Sequence, residues 1–223
     1  MKTKLLSTGI VYLLSQVCFA SLDMSSVNIP EEARPKIDKK LLSAQFNEIK
    51  EKGYIERTSL KYEYLSGIEK RLKYESQGHI KSTHLRKDLT NIVTHSSLKT
   101  VPLDAKSVTL GYAPVGTFNE DTGWTGLTEI FKSKDSGICQ FSHFDLKASK
   151  GAYSLSKENE RRDVNGKYTY VEVTGKENEG FDYKVVWFED LNMYTLSCIN
   201  KDFSNGFREK VIHLAKKIDI GAS

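Results

Sequence analysis

The sequence predicts an α+β protein: an N-terminal helical segment, then a meandering antiparallel β-sheet with a C-terminal helix packed on it, held by one disulfide. Three observations carry this expectation. Phe181, Tyr183, Val185 and Trp187 alternate with Asp182, Lys184 and Val186, the period of a strand with one buried face. Met193 to Ile199, rich in aromatic and β-branched residues, follows a four-residue polar connection, Glu189 to Asn192, and completes an antiparallel hairpin. Past Asp202 and Ser204, either of them a good N-cap, Phe203, Phe207, Val211, Leu214, Ala215 and Ile218 recur at helical spacing. Arg208, Glu209, Lys216 and Lys217 fall elsewhere, so the helix should lie on the sheet.

Taken from its start, the chain opens with Lys2 and Lys4, an apolar run interrupted only by small and hydroxyl residues, and Cys18-Phe19-Ala20 before Ser21. That is the grammar of a secretory signal over residues 1–20, cleaved after Ala20 and too short to stay as a membrane anchor. Ser15-Gln16-Val17 before Cys18 makes a poor lipobox. Residues 21–35 are polar, hold two of the four prolines and show no period, which reads as a flexible lead.

A helical region is expected over 36–97. Ile37, Leu41, Leu42, Phe46 and Ile49 mark one helix face, stopped by Gly53. Over 54–76, Leu60, Tyr62 and Tyr64 alternate as in a strand. Leu60, Tyr64, Leu65, Ile68 and Leu72 also fit a helix, and the density of Glu, Lys, Arg and Leu favours the helix. Ile80, His84, Leu85, Leu89, Ile92 and Val93 describe a third helical stripe after Gln77-Gly78. Helices this short need something to pack on: each other, the second half or another chain.

Leu98 to Lys106, containing Pro102, reads as the boundary before a sheet-plus-helix domain over 106–223. Strands are expected at Ser107–Ala113, Leu127–Lys132, Ile138–Leu146, Ala152–Leu155 and Lys167–Thr174, ahead of the hairpin described above. Asn165-Gly166 is the signature of a two-residue type I′ turn pairing 161–164 with 167–170. The run from Gly116 to Gly126 reads as a long exposed loop.

Export leaves two cysteines, Cys139 and Cys198, in an oxidising compartment, where they are expected to bond. Closing a loop of about 60 residues contributes about 4 kcal/mol in the chain-entropy view. No metal site is expected, since no His stands at a ligand-like spacing from either cysteine, and His79, His84 and His95 are spread too far along the chain to share an ion. Charge is nearly balanced: losing Lys2 and Lys4 brings the net from +4 to +2, which argues against a nucleic-acid partner. No later stretch reads as a transmembrane segment.

Catalytic signatures are weak. Asp121-Thr122-Gly123 matches the aspartic-protease tripeptide but lacks the apolar lead and a second copy. His143 alternates with Phe141 and Asp145, yet the chain has no Gly-x-Ser-x-Gly elbow. No cofactor cradle is present in the sequence. The expectation is therefore a periplasmic or secreted protein that works by binding a protein partner in the cell envelope or outside the cell. Trp124, between two glycines, together with Tyr62 and Tyr64, are the contact candidates. The alternative is a small-ligand or lipid carrier with a cavity lined by Trp187, Tyr194 and Phe207, and a hydrolase comes last.

Overall fold

The structure is a computed structural model, and it describes residues 39–79, 83–90, 92–94, 98–102, 107–151 and 161–221. The signal peptide expected at 1–20, the flexible lead expected at 21–35 and the strand expected at 152–155 lie outside these residues.

Four helices and eight strands follow one another as α1 (Lys39–Lys52), β1 (Ile55–Glu56), α2 (Leu60–Ser66), α3 (Ile68–Ser76), β2 (Ser107–Asn119), β3 (Gly123–Ser133), β4 (Gly137–Asp145), β5 (Arg161–Val164), β6 (Lys167–Lys176), β7 (Gly180–Glu189), β8 (Asn192–Asn200) and α4 (Asn205–Gly221). All strands join one sheet in the order β1-β6-β7-β8-β4-β3-β2, with β5 hydrogen-bonded to β6. It is mostly antiparallel and consists of two meanders, β2-β3-β4 and β6-β7-β8, fused along β4 and β8. β1 alone pairs parallel, with Ile55 and Glu56 opposite Thr174 and Gly175.

The seam between the meanders carries the disulfide. Cys139 and Cys198 are directly opposite on β4 and β8, fully buried and bonded. The bond ties the first meander to the strand before the closing helix.

α4 covers one sheet face as the period required. Ser204 caps it, its hydroxyl accepting from the Phe207 amide, and Val211, Ile212, Ala215 and Ile218 are buried against the sheet. Beneath them lies the main core: Phe131, Phe141, Tyr183, Val185, Trp187, Leu196 and the disulfide. At the C-terminal end, the Asp219 carboxylate accepts from the Trp187 indole at 3.0 Å and from Lys167 at 2.7 Å. A carboxylate near a helix C-terminus is unfavourable toward the dipole, and these donors offset it.

α2 and α3 lie on the opposite face, so the short helices pack on the second half of the chain. Ser59 caps α2, its hydroxyl accepting from the Tyr62 amide, and Leu65 and Ile68, both fully buried, meet Ile130 with Ile138 and Ile199 beside it. Over 54–76 helix prevails, in two pieces hinged at Gly67.

Several expectations are corrected. The third helix does not form: residues 83–90 and 92–94 are irregular. The Glu75 carboxylate takes the Thr83 amide at 2.6 Å and its hydroxyl at 2.9 Å, His84 sits at φ +55°, and Arg86 exchanges two backbone bonds with Tyr112 on β2. Each of these diverts a backbone group that a helix would use. Gly111 permits the approach, because a Cβ there would press on Leu85 and the Arg86 carbonyl. The expected loop from Gly116 to Gly126 is instead the paired end of the β2–β3 hairpin, with Asn119 opposite Gly123. The connection after β7 is two residues long, not four: Glu189 pairs with Asn192, and Asp190 takes φ +52°. The Asn165-Gly166 turn forms as expected, with both residues at positive φ.

Candidate functional site

The segment expected to separate two halves is clipped onto the α4 side of the sheet. His143, fully buried on β4, accepts the Lys99 amide at its Nδ1 (2.8 Å), so the neutral ring carries its proton on Nε2 and donates to the Asn192 side chain at 2.9 Å. Burial pushes its pKa below the ordinary histidine value, which the hydrogen bond to Asn192 only partly opposes. Two residues on, the Val101 amide donates to the Glu129 carboxylate at 2.9 Å, which also accepts from the Thr109 hydroxyl at 2.7 Å. Burial raises the Glu129 pKa, opposed by those two donors. Two buried polar side chains thus hold residues 99–101, and both His143 nitrogens are occupied.

This clip forms one wall of a cleft of about 490 Å³. Val101 and Pro102 face the flank of α4 across it, and the β3–β4 turn closes one side. The floor is apolar, made by Phe131, Leu214 and Ile218. Polar groups stand around it: Ser133, Asp135 and Ser136 on the turn, and Glu209, Lys210, His213 and Lys217 on the helix. Lys210, His213 and Lys217 fall at i, i+3 and i+7, one side of a helix. Glu209 turns toward Arg208 at 3.4 Å. Lys210 and Lys217 have no carboxylate partner among the described residues. Ser136, beside Asp135 on the turn, is 3 % exposed.

A second polar group lies on the other face, under α2. Glu172 on β6 accepts from Lys184 at 3.0 Å, from the Tyr170 hydroxyl at 2.5 Å and from Thr174 at 3.2 Å. Burial works against its ionisation, but Lys184, Tyr170 and Arg57 together hold its carboxyl below the usual range. Asp182 on β7 is less well served. Its Oδ1 has no partner, and burial pushes its carboxyl up to about 6 in spite of Lys184 and Lys61. Lys61 donates to Gln140 at 2.9 Å, and burial lowers its pKa. Each charge here has an opposite charge near it, the arrangement of a structural ion network.

No family model, curated protein or solved structure matches this chain. The site is therefore read from its own geometry.

Of the residues singled out from sequence, Trp187 is buried at 1 % exposure, stacked on Tyr194 and bonded to Asp219. Tyr194 lies between Trp187 and His143, and Phe207 packs edge-on against Tyr183. All three belong to the core and line no part of the cleft. Tyr62 and Tyr64 point apart: the Tyr62 ring fills the space over Gly180, and Tyr64 takes the Arg71 guanidinium over its ring at 4.8 Å. Trp124 is half-buried against Phe118, and its amide binds the Val93 carbonyl, so it anchors 92–94 to the hairpin. Asp121 is exposed in the β2–β3 turn. Among the described residues no group of three His, Cys, Asp or Glu is placed to hold a metal ion, and no helix is long and apolar enough to cross a membrane.

Proposed function

We propose that this is an exported binding protein, periplasmic or secreted, whose ligand site is the cleft beside α4 and which acts by association rather than by chemistry. The observation that carries this reading is the cleft. Its volume falls in the range of small-molecule sites, and it combines an apolar floor with a few polar groups, the composition that binds a ligand by desolvation and orients it by few contacts. The leader at residues 1–20 and the bonded Cys139–Cys198 pair support export. This is the carrier alternative, moved from the Trp187 side of α4 to its Lys210 side.

The test is organic extraction of protein purified without detergent, followed by mass spectrometry of the extract. Gly206→Trp serves as the control, because Gly206 lines the cleft and a Cβ there meets Ser204 Oγ only at 3.7 Å, so the indole starts from an unstrained position beside it. A stoichiometric small molecule should leave the wild type and be absent from Gly206→Trp. An extract that is empty, from a wild type that also takes up no added amphiphile, would overturn the reading.

A second reading, association with a macromolecule in the cell envelope or outside the cell, is favoured by the β2–β3 tip, where Phe118 and Val93 are exposed beside Trp124. Cross-linking of the tagged protein should then recover one near-stoichiometric partner, and Phe118→Ser should release it. Recovery unchanged by that substitution would count against the tip.

A further inference from the structure

The α4 wall of the cleft has a charge that no carboxylate among the described residues pairs with. Exposed lysines usually balance a nearby carboxylate or stand alone on an open surface. Lys210 and Lys217 do neither: they line a concave site with His213 between them, and the one acid on their helix that also lines it, Glu209, is engaged by Arg208. Asp135, on the facing wall, is the other carboxylate of the lining. Beside it stands Ser136, whose hydroxyl is a further donor of the lining. Below this rim the lining is uncharged: half-buried Leu214, with Val101, Ile218 and Phe131 almost wholly buried behind it.

From this arrangement we infer that the ligand is an anionic amphiphile, its carboxylate or phosphate held by Lys210, Lys217 and the Ser136 hydroxyl and its apolar part seated on Leu214 and the apolar wall at Val101 and Pro102. The inference rests on the cleft being the ligand site. A volume of about 490 Å³ lies in the range of small-molecule sites, the scale of a single-chain amphiphile such as dodecanoate. Cationic amphiphiles meet like charge on the helix wall, and neutral ones leave the two ammonium groups unpaired.

The experiment is isothermal titration of the full mature chain at fixed salt with three probes that share a twelve-carbon chain: dodecanoate, dodecyl maltoside and dodecyltrimethylammonium, each below its micellar concentration. Dodecyl phosphate serves as a fourth probe, to separate a carboxylate from a phosphate site. One or both anions should bind at least about tenfold more tightly than the cation. In the double variant Lys210→Gln/Lys217→Gln the anion affinity should fall about tenfold, with the maltoside affinity unchanged. Gly206→Trp, checked for folding by circular dichroism, should lose all binding. Equal affinities for the probes, unaffected by the glutamine substitutions yet lost in Gly206→Trp, would overturn the anionic ligand and leave the cleft as the site. No binding by the wild type, or full binding by folded Gly206→Trp, would overturn both.

Discussion

Replacing Asp182 by asparagine removes the charge of a carboxylate held under α2 with one oxygen unpartnered. Its pKa rises from 3.8 to about 6, which corresponds to about 3 kcal/mol of bias against the ionised form in the folded state. Burial causes the rise, and the attractions of Lys184 and Lys61 fail to cancel it. The folded state therefore holds a proton that the unfolded chain releases between about pH 4 and pH 6. In that window stability falls as pH rises; above it the bias is complete, and below it absent. Asparagine keeps the shape of the neutral acid and has no proton to lose. Asp182→Asn should thus be more stable than wild type by up to about 3 kcal/mol at pH 7.5, with the difference shrinking toward zero by about pH 4. Urea denaturation of both proteins at half-unit pH steps measures this, and other titrating groups largely cancel in the difference. A variant less stable at pH 7.5, or a difference flat with pH, would show that Lys61 and Lys184 bind the carboxylate more strongly than burial penalises it.

Three further outcomes follow from the packing. Gly180→Ala should cost more than about 1 kcal/mol, because φ is +103° and a Cβ would run into the Tyr62 ring. Adding Tyr62→Ala should recover part of the loss in a thermal melt, and a double variant no better than the single would place the cost in the backbone alone. Leu65→Ala should cost about 2–5 kcal/mol and leave one cooperative transition, since α2 and the sheet share a core; two separate transitions would contradict this. Intact mass after alkylation without reductant should show no label at Cys139 or Cys198, and the double alanine variant should lose about 4 kcal/mol. Two labels on the folded protein would refute the bond.

The elements legible in the sequence are those whose period is long and whose partner is adjacent. β7, β8 and α4 follow from Phe181 to Ile218 because aromatic and β-branched runs mark the strands and Ser204 caps the helix, although β7 is buried on both faces and not on the one its alternation suggested. The type I′ turn at Asn165-Gly166 is equally local. What was not legible depends on distant residues. The stripe at 80–96 is helical in period, but Glu75 and Tyr112 claim the backbone at Thr83 and Arg86, and neither is visible from within the segment. β1 is two residues long and exists only because β6 is there to pair with it. The direct pairing of β4 with β8 had one hint, the two cysteines.

The candidate site was less legible still. The aromatic residues that drew attention in the sequence, Trp187 and Tyr194, are large and apolar and so went into the core. The cleft draws on segments near 101, 133 and 214, which nothing local connects. Its one signal in the sequence was the i, i+3, i+7 spacing of Lys210, His213 and Lys217, which in isolation reads as the solvated side of a helix. Glu129 and His143 carried no signal of their task, because a buried clip is recognised only by the amides it holds.

The most direct test of the cleft as ligand site is photolabelling with a diazirine-bearing fatty acid, followed by peptide mapping of the labelled residues. The account predicts label confined to peptides containing Val101, Phe131 to Ser136 and Gly206 to Ile218, suppressed by excess unlabelled dodecanoate and absent from Gly206→Trp. Label gathered instead at the β2–β3 tip around Phe118 and Trp124, or spread over the surface and indifferent to competitor, would contradict it.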